Sequence, residues 1–342
     1  VQLVLNQEQQ DLRASVRKFF QEQSPMAKVR AVVDGELDFD RDLWRRMAGD
    51  LGLTGLAIPE EYGGVGASHV ERSIILEEMG RALVPSPYLS SAVLAADLLL
   101  ALDDEDAKAE FLPAIASGEI LAVSGRADVT VSSGKVDGQM GPVLDGATAD
   151  IALVQTADGV YLVDLADVSK TPLVSYDSTR RFARLTFAGT PARRLAGDPS
   201  TQADDLASVA LAAESVGVLG RSMEMAVEYA KVRVQFGRFI GSYQAVKHGC
   251  VNSYVDYELA CSVVRHAAWA ASHAPSELPL AAAHARALVL PAAFRVAAKT
   301  IEVHGGIGYT WEHDAHLYYK RAKSNELLLG GLDSLADLLT RA

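Results

Sequence analysis

Cysteine is scarce in this 342-residue chain, which has two thiols, Cys250 and Cys261. The spacing predicts that both lie on one helix, roughly 16 Å apart along its axis, too far to pair with each other. Two unpaired, buried thiols suit a reducing cytoplasm. Positive charge is also short: 32 Lys and Arg against 44 Asp and Glu leave a formal net charge of −12. That balance argues against a nucleic-acid surface, while leaving room for local basic sites that hold phosphates. No run of eighteen or more apolar residues occurs, and charges interrupt each hydrophobic stretch, so no membrane span is expected. The opening residues, Val1 to Gln10, lack the basic-then-apolar layout of a secretion signal. Metal-ligand clusters are missing too. His313 and His316 stand at i, i+3 with no third ligand evident, and read as a solvated turn. What the chain does have is bulk: 49% hydrophobic residues, enough for a large core in two or three packed units.

Three compositional regimes follow one another. Residues 1–120 read as helical. Asn6 precedes Glu8 and an amphipathic stretch through Leu12, Val16 and Phe20, the pattern of a capped first helix. Further helices are predicted over Asp40 to Leu51, His69 to Leu83 and Leu89 to Leu102, with a Pro- and Gly-stopped loop over Ile58 to Gly64. Asp103 to Asp106 reads as an exposed acidic break before a further short helix. From 121 to 196 the apolar period shortens to two. Ile151–Thr156 and Val160–Leu165 flank Ala157-Asp158-Gly159, a hairpin signal, in what reads as a small middle β domain. From 197 to 342 the chain is helical again. One apolar stripe runs through Leu206, Val216 and Val227; a second runs through Cys250, Tyr254, Tyr257 and Cys261, where the tyrosines read as core packing. An alanine-rich third helix runs from about Leu280 to Val303 with Pro291 a predicted kink, and a last helix covers His316 to Leu329.

Four segments carry chemistry. Ile58-Pro59-Glu60-Glu61-Tyr62-Gly63-Gly64 precedes Glu77-Glu78-Met79-Gly80; Arg233-Val234-Gln235-Phe236-Gly237 precedes Gln244; His304-Gly305-Gly306-Ile307-Gly308-Tyr309 forms a glycine turn; and Arg321-Ala322-Lys323 leads toward the end. Arg233 offers a forked cation to a diphosphate. Gln235 and Gln244 offer amides to an adenine or ribose, and Phe236 offers an apolar surface. Glycines 305, 306 and 308 follow a helix, not a strand, so they form no Rossmann fingerprint; they allow close backbone approach and a sharp turn. In this order and spacing the four segments resemble the acyl-CoA dehydrogenases. The resemblance implies a mostly α fold: a helical N-terminal domain, a β-barrel-like middle domain and a C-terminal four-helix bundle. It also implies FAD as cofactor. Arg233, Gln235, Phe236, Gln244, Gly305, Gly306 and Gly308 would then hold the adenosine-diphosphate half of the flavin, largely that of a neighbouring subunit. Glu302 departs from this pattern, because the family has a glutamine there, near the diphosphate.

The other half of the resemblance is thin. Where the family closes on A-K-x-x-x-[IL]-x-E-G-[TS], whose Glu removes the α-proton of the acyl chain, this chain has Leu329, and Gly331 replaces the hydroxyl residue. A leucine accepts no proton. Some relatives carry the base on the first bundle helix, and that position is Ala207. Glu214 and Glu326 lie nearby in sequence, but a shift of three or seven residues rarely keeps a carboxylate in reach of one α-carbon, and both read as ordinary helix charges. The flavin-ring segments of the middle domain are reduced to Ser124-Gly125-Arg126-Ala127-Asp128 and Pro142-Val143-Leu144-Asp145-Gly146. The resemblance is therefore to the short, base-lacking subunits of heteromeric acyl-CoA dehydrogenases of actinobacterial steroid side-chain breakdown. It implies a full-length homologous partner, an acyl-CoA substrate and an electron-transfer flavoprotein or similar acceptor. Two other readings stay open on the sequence: a self-sufficient homo-oligomer with a relocated Glu base, and a non-enzymatic helical protein used for binding or assembly.

Overall fold

The structure, a computed structural model, describes residues 3–35, 38–198 and 201–330. In chain order, α1 (Gln7–Gln23), α2 (Met26–Asp34), α3 (Arg41–Gly49) and α4 (His69–Ala82) come first. A π-helical turn (Tyr88–Ala95) runs into α5 (Ala96–Leu100), and α6 (Glu105–Ala116) follows. Strands β1 (Ala122–Arg126), β2 (Asp128–Ser132), β3 (Lys135–Leu144), β4 (Ile151–Thr156), β5 (Gly159–Asp164), β6 (Ser169–Leu173), β7 (Phe182–Pro191) and β8 (Arg193–Arg194) fill the middle. The long helices α7 (Thr201–Val232), α8 (Gln244–His273), α9 (Leu278–His304) and α10 (Ala315–Leu327) close the chain, with a small hairpin, β9 (Val234–Gln235) and β10 (Arg238–Phe239), between α7 and α8.

Local chemistry sets the helix starts. Asn6 Oδ1 accepts from the Gln9 amide at 2.8 Å while the Gln9 side chain accepts from the Asn6 amide at 3.1 Å, a full capping box at the head of α1. Asp40 caps α3 through the Asp42 and Leu43 amides, both at 3.0 Å. At the acidic break Asp104 accepts from the Ala107 amide at 2.9 Å and opens the short helix α6. Two helical segments differ from expectation. Residues 26–34 form α2, begun by Pro25, whose carbonyl receives the Lys28 and Val29 amides. The helix expected over 89–102 begins as a π-helical turn and becomes α only at Ala96. Pro291 lies within α9, which continues through it.

One compact unit comprises residues 30–68 and 85–207. Its first sheet has the order β1-β4-β5-β8, with β1 parallel to β4 in the register Ala122↔Ile151; its second has the order β2-β3-β7-β6, all antiparallel. The middle strand β4 is buried through Ile151, Ala152, Leu153 and Val154 without alternation. The reason is that both its faces are covered. Ile151 and Leu153 pack with Leu99, Leu112 and Ile115 of the helices, while Ala152 and Val154 pack with Val136, Met140 and Leu185 of the second sheet. The β unit is thus two four-stranded sheets around one core, with helices on the outer face of the first.

The other unit gathers α1, α4 and the C-terminal helices: residues 1–29, 69–84 and 208–342 by chain position. Helices α4 and α7 meet at two glycines. A Cβ at Gly80 would stand 2.0 Å from the Glu214 carbonyl oxygen, and one at Gly217 would stand 1.8 Å from that of Glu77. Only glycine permits backbones this close. The neighbouring acids face the other way, toward α1: Glu78 accepts from Arg17 Nε at 2.8 Å and Nη2 at 2.7 Å, and Glu77 pairs with Arg13. Among the described residues Thr201–Val232 and Pro275–Tyr309 are long and apolar enough to cross a membrane by length and composition alone, although charges such as Glu214 and Arg295 interrupt both, as the sequence reading has it. Their most apolar windows are 89% and 61% buried, as in core helices.

Candidate functional site

The chain leaves α7 at Val232 and turns back within seven residues. The Arg233 amide still donates to the Tyr229 carbonyl at 2.9 Å, and the Ile240 amide donates to the Arg233 carbonyl at 2.9 Å, closing the hairpin. Its two-residue tip, Phe236 (φ 51°) and Gly237 (φ 78°), has both residues at positive φ, as a primed hairpin turn requires. The base is braced. Arg238 stacks over the Tyr243 ring at 3.9 Å, and the Tyr243 hydroxyl donates to the Gln235 carbonyl at 3.2 Å. Residues 231–239 are all exposed, and Phe236 is 92% exposed. Among the described residues the side chains of Arg233 and Gln244 make no hydrogen bond or ion pair, and the Gln235 amide reaches only the Val234 carbonyl at 3.0 Å.

The glycine turn starts where α9 stops. Gly305 has φ 65°, and neither Gly305 nor Gly306 has any atom within 4 Å of an added Cβ, so their backbone faces open space. Gly308 differs. It is buried, and a Cβ there would meet His304 Cβ and the Ile301 carbonyl oxygen at 3.0 Å, so its bareness serves packing inside the turn. His304 ties the turn to the hairpin. Its ring stacks on Tyr229, one turn before Arg233, at 4.4 Å and meets His313 at 4.3 Å. Its Nδ1 donates to the Thr300 carbonyl at 2.7 Å, which fixes the neutral tautomer, and burial pulls its pKa below the ordinary histidine value. The sequence reading missed Tyr229. An aromatic four residues before Arg233 was the available signal.

The positions considered for a base carry no exposed carboxylate. Leu329 lies in a short turn, Leu328–Gly330, with φ 58°, and its carbonyl accepts from buried Arg286 at 2.7 Å. Gly331 lies outside the described residues. Ala207 is buried in α7. Glu214, 5% exposed, accepts from Arg321 Nη1 at 2.5 Å and from Asn325 Nδ2 at 3.4 Å. Glu326, also buried, accepts from Lys323 Nζ at 2.6 Å. In the β unit, Arg126 pairs with Asp204 at 2.7 Å, and Asp145 accepts from Ser90 Oγ at 2.6 Å, so both remnant stretches are engaged within the chain.

Three side chains correct the sequence reading. Tyr254 is not core: it is 53% exposed and lines, with Met223, Val227, Phe239, Cys250 and Val251, an apolar cavity of about 810 Å³ between α7 and α8. Cys250 is accordingly only half-buried, while Cys261 is buried and its thiol is pushed up to about 11 by burial and by Glu77. His316 is buried and stacked on Trp311 at 4.8 Å, so the histidine pair is no solvated turn. No group of three metal-ligating side chains occurs among the described residues.

Comparison with known proteins gives one answer. Residues 6–119 match the acyl-CoA dehydrogenase N-terminal domain, and residues 205–342 match the acyl-CoA dehydrogenase C-terminal domain. The acyl-CoA dehydrogenase IpdE2 of Mycobacterium tuberculosis is 39% identical over 323 residues, covering 94% of this chain and 93% of that protein. The acyl-CoA dehydrogenase FadE27 of the same organism is 33% identical over 334 residues, 86% of each. Among solved structures, the crystal structure of the ChsE4-ChsE5 complex from M. tuberculosis contains a chain with a TM-score of 0.90 and 28% identity, matched over 100% of this chain and 98% of that one. A variant of the Tcur3481-Tcur3483 steroid ACAD gives 0.87 and 27% over 98% of each. The chain belongs to the acyl-CoA dehydrogenases, a family of FAD-dependent oxidoreductases.

Proposed function

We propose that this chain is the base-lacking member of a heteromeric acyl-CoA dehydrogenase, paired with a full-length homologue and acting on CoA thioesters of steroid origin in the cytoplasm. The observation that carries the reading is the state of its polar side chains. Arg233, Gln235, Phe236 and Gln244 are displayed on a braced hairpin and the adjoining helix start with almost no partner in their own chain. The two carboxylates weighed as substitutes for a base, Glu214 and Glu326, are instead buried in ion pairs. One set is built to meet something outside the chain, the other to be held inside it.

The exposed set fits the nucleotide end of FAD. Arg233 presents a forked guanidinium to a diphosphate, Gln235 and Gln244 present amides to adenine or ribose, and Phe236 presents a flat apolar face. Gly305 and Gly306 leave room for backbone approach, while Gly308 shapes the turn behind them. When bound, FAD supplies the acceptor for the β-hydride of an acyl-CoA during α,β-dehydrogenation. The α-proton must pass to a carboxylate, and at the family position this chain has Leu329, so the partner supplies that group. The reduced remnants at 124–128 and 142–146 agree with a flavin ring housed by the partner. An electron-transfer flavoprotein or similar acceptor would reoxidise the flavin. Two of the similar structures bear paired names, the ChsE4-ChsE5 complex and the Tcur3481-Tcur3483 steroid ACAD, which supports a two-component reading.

Co-expression with a full-length homologue tests this. The pair should elute together with about one FAD per pair and oxidise an acyl-CoA, while this chain purified alone should be colourless and inactive. Two flavins per pair, or turnover by the lone chain that is lost in Glu214→Gln, would sink the reading.

A further inference from the structure

Position 302 is a puzzle on the nucleotide side of the bundle. The resemblance puts a neutral amide there, beside a diphosphate, and this chain has Glu302. A lone carboxylate would repel phosphate. It would also sit badly near the C-terminus of α9, where the helix dipole disfavours negative charge. The structure supplies a counter-ion from one turn back, for Lys299 Nζ donates to Glu302 Oε1 at 2.7 Å. More than this pair holds the ammonium. The lysine stem lies across α8 at Gly249, where an added Cβ would stand 2.6 Å from Lys299 Cε and 3.4 Å from Nζ. A glycine inside a helix costs about 1 kcal/mol relative to alanine, so the bare backbone at 249 reads as a seat for the lysine.

That seat belongs to a closed ring of contacts. The hairpin is tied to the start of α8 by Tyr243 and Gln235, α8 to α9 by Gly249 and Lys299, and the end of α9 to the end of α7 by His304 and Tyr229. Lys231, Arg233, Lys247 and Lys299 all come from these helix ends and the hairpin, in a chain whose net charge is −12. We propose that Lys299, steered by Glu302 and bedded on Gly249, is a second cation for the diphosphate that Arg233 faces, in place of the family's amide at 302. This inference rests on the nucleotide reading above. Arg233 supplies the fork and Lys299 the point charge, with Glu302 as the positioning residue.

Calorimetric titration of the full chain with ADP and with adenosine, at low ionic strength, tests it. The unaltered chain should bind ADP more tightly than adenosine. Lys299→Ala should weaken ADP roughly tenfold and leave adenosine unchanged. Gly249→Ala keeps the charge but displaces the ammonium. It should weaken ADP similarly while Tm holds or rises, a combination that no purely structural role for Lys299 produces. If both variants bind ADP as the unaltered chain does while Arg233→Ala loses it, Lys299 is an ordinary surface pair and the proposal falls with the hairpin reading intact. If the unaltered chain does not prefer ADP, or Arg233→Ala makes no difference, the hairpin reading fails and takes this proposal with it.

Discussion

Phe236 sits in a backbone conformation that glycine or asparagine takes readily and that costs other residues roughly 1–2 kcal/mol. It is also 92% exposed, so no burial in the chain offsets that cost. A residue kept under such terms is kept for an outside contact. Phe236→Asn should therefore leave Tm unchanged or raise it slightly, while the co-purified pair loses flavin; unfolding and flavin absorbance measured on the same preparation check both halves. His304 carries a second residue-scale prediction. Burial holds its folded pKa below the ordinary value of 6.5, so the unfolded chain binds the proton first. Stability from this group is then full above pH 6.5 and lost as pH falls below it. Tm measured across that range should drop on the acid side, and His304→Gln should flatten the drop. The histidine was legible in the sequence as part of the glycine turn. Its stack with Tyr229 was not, because the two lie on different helices.

At the scale of elements, α7 and α10 are joined by the buried Glu214–Arg321 pair and by Asn325 Nδ2, which donates to Ser215 Oγ at 2.9 Å. Breaking that pair by Glu214→Gln removes a buried counter-charge from Arg321 and should cost about 3–5 kcal/mol, whereas replacing both partners by apolar residues of similar size should recover most of that loss. Denaturant midpoints of the single and double variants decide it. If Glu214 were a relocated base, the double variant would regain stability but abolish turnover that the lone chain possessed. Helix starts were readable because a cap is a local event: Asn6, Asp40 and Asp104 each meet an amide two or three residues on. The π-helical turn at 88–95 and the unbroken burial of β4 were not readable. Both depend on what covers the element, and period-two reasoning assumes one wet face.

For the whole molecule, the feature that points outward is the exposed apolar side of α8. Val251, Val255 and Leu259 are each about half exposed and follow one another at helical spacing, continuous with Tyr254. On the heteromer reading this face meets another subunit. Leu259→Glu should change the stability of the isolated chain by less than about 0.5 kcal/mol, yet reduce co-elution with the full-length homologue. Unchanged co-elution would move the contact elsewhere. The sequence order helix, strand, helix hid how the chain is gathered: α1 and α4 join the C-terminal helices in one unit, and the rest of the first 207 residues form the other.

The family, the leucine at 329 and the succession of helical and β regions are properties of residue type and near-neighbour spacing, so they could be read from one dimension. The fate of each charged or aromatic side chain could not. Glu214 meets Arg321 across 107 positions of sequence, Lys299 finds its seat at Gly249 on another helix, and Tyr254 leaves the core for a cavity wall. Those outcomes belong to packing, because neutralisation and burial depend on atoms that come together only when distant helices do.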